Sequence, residues 1–231
     1  VIDEERYFEA DVSHPLHYTR PLDILGSRGV ELAAGSRLLD FGYGSIGHLR
    51  MLATLGVDVT GIEVKPELLA YYGEPGDTGP IGGGRLRLLD GLFPADPRLR
   101  AEVGAGYDLV VAKNTLKRGY IHPDRPAPRR MLIDLQVDDA TFLRAFHDAL
   151  APGGRMLVYN IFVPVPPDQP FKPMSDGRSP FSKEAWEAAG FVVEAFDEDD
   201  TPLTRAVLGV TSAGGEALPD ARALYTLVRR D

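Results

Sequence analysis

The sequence predicts an α/β fold, a doubly wound sheet of seven strands with helices on both faces. Three observations carry this. Strand-like and helix-like segments alternate along most of the chain. A glycine-rich turn, Gly42-Tyr43-Gly44-Ser45-Ile46-Gly47, joins the first strand to a helix. Two long irregular stretches follow later strands at their carboxyl ends, the edge where open α/β sheets hold ligands.

The elements are expected in order. Residues 1–36 hold no strong strand, and Ile24, Leu25, Val30 and Leu32 read as short helical pieces on a core. Arg37 to Phe41 is a buried strand running into glycine. Ser45 caps the next helix, Ile46, Leu49, Leu52 and Ala53 face inward, and Gly56 stops it. Val57 to Ile62 is the second strand, and Pro66 starts a helix. Gly73 to Gly84 reads as a loop and Leu86 to Leu89 as the third strand. Tyr107 to Ala112 is the fourth. Asp138 or Asp139 caps a long helix with Phe142, Leu143, Phe146 and Leu150 inward. Pro152-Gly153-Gly154 ends it before the fifth strand, Met156 to Phe162. Ser182 to Ala189 is a helix, Phe191 to Phe196 a strand, Thr201-Pro202 a helix start, and Leu224 to Val228 the last strand.

Composition removes several functions. The 231 residues suffice for one sizeable core. There is no cysteine, which excludes disulfides, thiolate catalysis and cysteine zinc sites and fits a cytoplasmic setting. The formal charge of −9 opposes a nucleic-acid partner. No apolar run approaches the roughly 20 residues of a membrane span, and no signal segment opens the chain.

The glycine turn points to an adenosine cofactor. Glycines let backbone approach a ligand closely, and the helix start offers free N–H groups. Glu63 ends the second strand 21 residues after Gly42, where its carboxylate can accept both ribose hydroxyls. Gly42, Gly44 and Gly47 also satisfy the dinucleotide pattern G-x-G-x-x-G. Three features argue against a nicotinamide. Asp40 lies two residues before the first glycine, where it repels a pyrophosphate but pairs with an ammonium. The Pro152-Gly153-Gly154 turn has no role in dinucleotide binding. About three dozen residues precede the first strand, whereas dinucleotide domains often begin with theirs.

On these residues the chain resembles the class I S-adenosylmethionine-dependent methyltransferases, over about residues 37–230. Leu39 to Gly44 looks like the family's first motif, with Tyr43 where cysteine is common. Gly61-Ile62-Glu63 looks like the ribose motif, Leu89-Asp90-Gly91 like the adenine motif, and Leu150 to Gly154 like the turn before the fifth strand. Phe181 to Phe191 looks like the helix-turn leading to the closing antiparallel strands. The resemblance implies a Rossmann-like, mostly parallel sheet with an antiparallel last strand. It divides the chain into a helical leader or lid, residues 1–36, and a cofactor domain, residues 37–231. It implies that Asp40, Gly42, Tyr43 and Gly44 hold the methionine end, Glu63 the ribose, and Asp90 with Gly91 the adenine. Lys113 is expected near the cofactor carboxylate, and Tyr18 in a leader that closes over the cofactor.

The acceptor side is expected in the stretch after the fourth strand. Asn114 stands where related amino-methyltransferases carry an Asn/Asp-Pro-Pro-aromatic motif, but Thr115-Leu116 follow, which disfavours that chemistry. His122 is the best-placed base, because histidine titrates near neutrality, and Tyr120 could orient a substrate. Residues 113–130 carry six basic residues against one acid, Asp124, and read as a rim that attracts a small carboxylate or phosphate. Asp11, His14 and His17 share a metal-like spacing, but Pro15 interrupts helical geometry, so no metal is expected. His48 and His147 are expected to be structural. The expectation is therefore methyl transfer from S-adenosylmethionine to a small, anionic acceptor, with S-adenosylhomocysteine as product. An aminopropyl transferase, a nicotinamide-dependent oxidoreductase and a non-catalytic scaffold are the alternatives.

Overall fold

The structure is a computed structural model and describes residues 18–208 and 220–231, so Asp11, His14 and His17 lie outside the described residues. The strands are β1 (Arg37–Phe41), β2 (Asp58–Glu63), β3 (Gly79–Ile81), β4 (Gly84–Asp90), β5 (Tyr107–Lys113), β6 (Leu150–Phe162), β7 (Phe191–Asp199) and β8 (Arg222–Arg230). The helices are α1 (Thr19–Ser27), α2 (Gly47–Thr54), α3 (Pro66–Tyr71), α4 (Pro97–Val103), α5 (Arg118–Ile121), α6 (Asp139–Ala149), α7 (Lys183–Ala188) and α8 (Thr201–Leu208). One sheet runs in the order β3-β4-β2-β1-β5-β6-β8-β7. Strands β4, β2, β1, β5 and β6 are parallel neighbours, and β8 pairs antiparallel with both β6 and β7.

The sheet has one strand more than expected. The glycine-rich stretch 73–84 is not all loop, because Gly79–Ile81 folds back antiparallel on β4. Gly82 turns that hairpin at φ +57°. A second correction concerns α2, which starts without a side-chain cap. Ser45 is buried, and its N–H turns back to the Tyr43 carbonyl at 2.5 Å. The expected cap of α6 is present, with Asp138 accepting from Thr141 N at 2.7 Å.

Successive strand residues point to opposite faces, so each buried strand feeds two cores. Leu39, Ile62, Val110 and Val158 join Phe142, Phe146 and Trp186 on one face. Leu38, Val59, Leu109 and Leu157 join Ile24, Leu25 and Leu49 on the other. The first core packs α4, α6 and α7, and the second packs α1 and α2.

Helix α1 is tied down by charge as well as by Ile24 and Leu25. Arg20 Nε and Nη2 reach Asp200 at 3.0 and 2.5 Å, with both residues nearly fully buried. Tyr159 donates to the same carboxylate at 3.0 Å and shares a 2.6 Å bond with Thr204. This network fixes the start of α1, and with it Tyr18, against the sheet. No helix among the described residues is long and apolar enough to cross a membrane.

Candidate active site

The glycine turn leaves β1 toward the carboxyl edge of the sheet. Gly42 takes φ +79°, and a Cβ there would collide with the Thr115 side chain that follows β5. Only glycine lets these two loops meet. The Gly42 N–H donates to Ile62 O at 2.8 Å, which holds the turn against β2. Tyr43 is buried over Gly61, where any side chain would strike its ring. Burial, then the charges of Glu63 and Asp90, push the Tyr43 phenol above its ordinary range. Its hydroxyl has no hydrogen-bond partner among the described residues.

Glu63 sits at the end of β2 as expected. Its Oε2 accepts from Gly44 N at 3.3 Å and its Oε1 from Val64 N at 2.8 Å. The carboxylate therefore faces the glycine turn rather than bulk solvent. Beside it opens a cavity of about 260 Å³. Phe41, Ile62, Val64, Leu92, Phe93 and Leu116 make it apolar, and Gly42, Glu63 and Thr115 form its polar edge. Asp90 pairs with Glu63 in the strand register but does not line the cavity, and neither does Gly91. The two residues after them, Leu92 and Phe93, do.

Asp40 is wholly buried on the other side of the turn. His48 Nε2 lies 2.6 Å from its Oδ2, and the Tyr18 hydroxyl donates to the same oxygen at 3.0 Å. The Tyr18 and His48 rings stack with centroids 3.4 Å apart, and Lys113 Nζ stands 5.4 Å over the Tyr18 ring. Burial, then the Asp40 charge, drives the Tyr18 phenol well up. Oδ1 of Asp40 and Nδ1 of His48 have no partner among the described residues. The structure brings Tyr18, Asp40, Gly42, Tyr43, Gly44, Glu63 and Lys113 to one edge of the sheet, together with His48.

The acceptor-side residues are placed less simply. Asn114 takes φ +60°, and its Oδ1 accepts from Ile161 N at 2.8 Å, so it clips the end of β5 to β6. His122 is half-exposed, with Nε2 3.0 Å from each oxygen of Asp139. Tyr120 supports the cavity through its backbone, because its carbonyl accepts from Ile133 N at 2.9 Å. Neither His122 nor Tyr120 lines the cavity. The loop Leu132 to Leu135, which includes Asp134, does. A short apolar run inside the irregular stretch was its only sequence signal.

The basic rim needs correction. Lys117 is buried, and its Nζ donates to Ile161 O at 2.6 Å. Burial, then the charge of Lys113, lowers its pKa to about 7. Arg118 and Arg178 both grip Asp124, at 2.7 Å each, and Arg178 also holds Asp176 at 2.6 Å. Arg125 donates to Pro167 O and Gln169 O at 3.1 and 2.6 Å. The Asn160 amide bridges Leu116 O and Gly177 O at 2.8 and 3.0 Å. These contacts zip stretch 113–137 to stretch 163–181, so much of the rim's charge is engaged inside the protein. Arg129 and Arg130 remain exposed.

Solved structures with the same architecture decide the fold. One is an S-adenosylmethionine-dependent methyltransferase from Mesorhizobium loti, 16% identical over 93% of this chain and 100% of that one, with a TM-score of 0.51. The chain has the class I methyltransferase fold. The phosphoethanolamine N-methyltransferase 2 of Haemonchus contortus, solved with phosphomonomethylethanolamine and S-adenosylhomocysteine, matches at 14% identity and a TM-score of 0.52. That match covers 92% of this chain and only 52% of the longer protein. The cyclase SpnF matches at 17% identity over 91% of this chain and 80% of its own, with a TM-score of 0.52. No protein-family profile and no curated protein matches the chain. With a cyclase among the neighbours, the methyltransferase fold alone does not fix the chemistry, which must be argued from the site.

Proposed function

We propose that the protein is a cytoplasmic S-adenosylmethionine-dependent methyltransferase acting on a small molecule. The observation that carries this is the pairing of an apolar cavity edged by Glu63 with a buried carboxylate, Asp40, that keeps one oxygen unpaired. The residues fit the cofactor on that ground. A buried acceptor without a partner is costly, and an ammonium supplies the missing donor. Glu63 and the glycine turn suit a ribose, and the apolar walls suit an adenine. A pyrophosphate would meet Asp40 and Glu63 together, which opposes a nicotinamide dinucleotide.

When bound, the cofactor supplies an electrophilic methyl group on a sulfonium. The protein's part is alignment and exclusion of water. Asp40 and Lys113 hold the amino-acid end, Gly42 and Gly44 admit it, Glu63 fixes the ribose, and Leu92, Phe93 and the 132–135 loop enclose the base. His122 is the candidate base on the acceptor side, outside the cavity lining, with its exposed ring oriented by the Asp139 carboxylate at Nε2. Tyr120 orients the acceptor beside it. The acceptor is a small anion, recruited by the exposed Arg129 and Arg130, one residue before the cavity loop.

Calorimetry tests the cofactor. S-adenosylhomocysteine binds and NAD does not. NAD binding without S-adenosylhomocysteine binding overturns the proposal. A thermal-shift series that includes the decarboxylated cofactor separates methyl from aminopropyl transfer, since a native-state ligand raises the melting temperature.

A further inference from the structure

His48 is a costly choice for its position. It is 1% exposed on α2, its Nε2 lies 2.6 Å from a carboxylate oxygen, and its Nδ1 has no hydrogen-bond partner among the described residues. An apolar ring would pack there without an orphan nitrogen. Asp40 shows the same asymmetry. Two donors, His48 Nε2 and the Tyr18 hydroxyl, converge on Oδ2, while Oδ1 receives none. A carboxylate oxygen can only accept, so what Oδ1 of Asp40 lacks is a donor.

We propose that His48 is a positioning residue for the amino-acid end of the cofactor. It fixes Oδ2 of Asp40 and forms the floor on which Tyr18 stacks, so that Oδ1 is held ready for the cofactor's ammonium. This rests on the methyltransferase reading. The device links three parts of the chain: β1 supplies the charge, α2 its orientation, and Tyr18 the cover. Because Arg20, two residues after Tyr18, is locked to Asp200, the Tyr18 arm of the device is anchored to the start of α8 beside β6. His48 thereby selects for a nucleoside that carries an amine over one that does not.

Two ligands of the intact protein separate this role from a structural one. S-adenosylhomocysteine carries the ammonium, and 5′-methylthioadenosine has the same nucleoside without it. His48→Phe keeps the stacking surface and removes the hydrogen bond. It weakens S-adenosylhomocysteine about tenfold, as expected for a bond to a charged group, and leaves methylthioadenosine within about twofold. Tyr18→Phe removes the second donor and gives a smaller selective loss, which keeps the test open should His48→Phe fail to fold. His48→Gln, which restores a donor, recovers part of the difference. Equal losses for both ligands, or no loss for either, overturn the role of His48. Failure of the unmodified protein to bind S-adenosylhomocysteine overturns the cofactor reading instead.

Discussion

Two ion-pair networks in this molecule use the same side chains in opposite ways. Arg20 and Asp200 meet in the interior between α1, α8 and β6, with side chains 6% and 4% exposed. Arg118, Asp124 and Arg178 meet on the loops over β5 and β6, where all three side chains are between a third and a half exposed. Both are short, multidentate arginine–carboxylate contacts. Burial alone separates them, and burial decides what each contributes. The interior pair has given up its hydration, so each partner depends on its contacts within the protein. The outer network can return to water at little cost.

The largest expected effect tests the interior pair. Asp200→Ala leaves the buried Arg20 guanidinium with only the exposed Asp23 as its carboxylate partner and removes an acceptor from Tyr159 and Thr204. Breaking a buried pair from one side costs about 3–5 kcal/mol, so denaturant melts should show a loss of that order. An Arg20→Met, Asp200→Leu double variant should recover much of it, because apolar residues of similar volume replace such pairs well. A small loss in the single variant would mean that water reaches Arg20 and that the two networks do not differ in kind.

Next comes the cofactor site. Glu63→Ala should weaken S-adenosylhomocysteine by about 2–4 kcal/mol, since it removes an acceptor for two ribose hydroxyls. The fold should survive, because Glu63 is only partly buried and lies at a strand end. Unchanged affinity in a folded variant would take Glu63 out of the site.

How much of this was legible follows from what kind of contact each feature needs. The glycine turn, Glu63 at the end of β2 and a helix cap at Asp138 or Asp139 depend on neighbours in sequence and were legible there, and the structure settles the cap on Asp138. The β3 hairpin was missed because its three residues have no strand-like composition: glycine, proline and one isoleucine. The cavity-lining loop at Leu132 was missed because the residues that line the cavity with it, Phe41 on β1, Ile62 on β2 and Phe93 beyond β4, are far away in sequence. The basic rim was misread for the same reason. Lys117 looks like a surface charge until Ile161 closes over it, and Arg118 looks available until Arg178, sixty residues on, is seen to share its acid. His48 was placed on a helix, but its turn toward Asp40 depends on the path of α2.

Lys117 offers an intermediate test between the two networks, because it lies on the outer loop but is buried like the inner pair. Its pKa is lowered from 10.5 to about 7 by burial and then by Lys113. The charged form is therefore disfavoured in the native state. Below pH 7 both states bind the proton and the full cost is present. Between pH 7 and 10.5 the unfolded chain holds more protons, so stability rises with pH. Lys117→Met should stabilise the protein near pH 6, by an amount on the order of 1–3 kcal/mol, and that gain should shrink toward pH 10. A gain independent of pH would mean that Lys117 stays charged and that its environment is wetter than its burial indicates.

The smallest effect is expected at Arg118. Arg118→Ala removes one of two arginines from Asp124, and Arg178 stays in place at 2.7 Å. The carboxylate is exposed and keeps a partner, so the melting temperature should barely move, and whatever change there is should vanish as salt rises past about 0.1 M. Turnover should also change little, because Arg118 faces Asp124 rather than the cavity. Reversal of Arg129 and Arg130 to glutamate makes the useful contrast. These side chains are exposed beside the cavity loop, and their reversal should raise the Michaelis constant of an anionic acceptor in low salt while leaving cofactor affinity unaltered. If Arg118→Ala produced that kinetic change and the Arg129, Arg130 reversal did not, the acceptor would have to approach over α5 rather than over the 132–135 loop. If neither produced it, the basic loop would serve only to zip the two stretches together, and the acceptor would not need to be an anion.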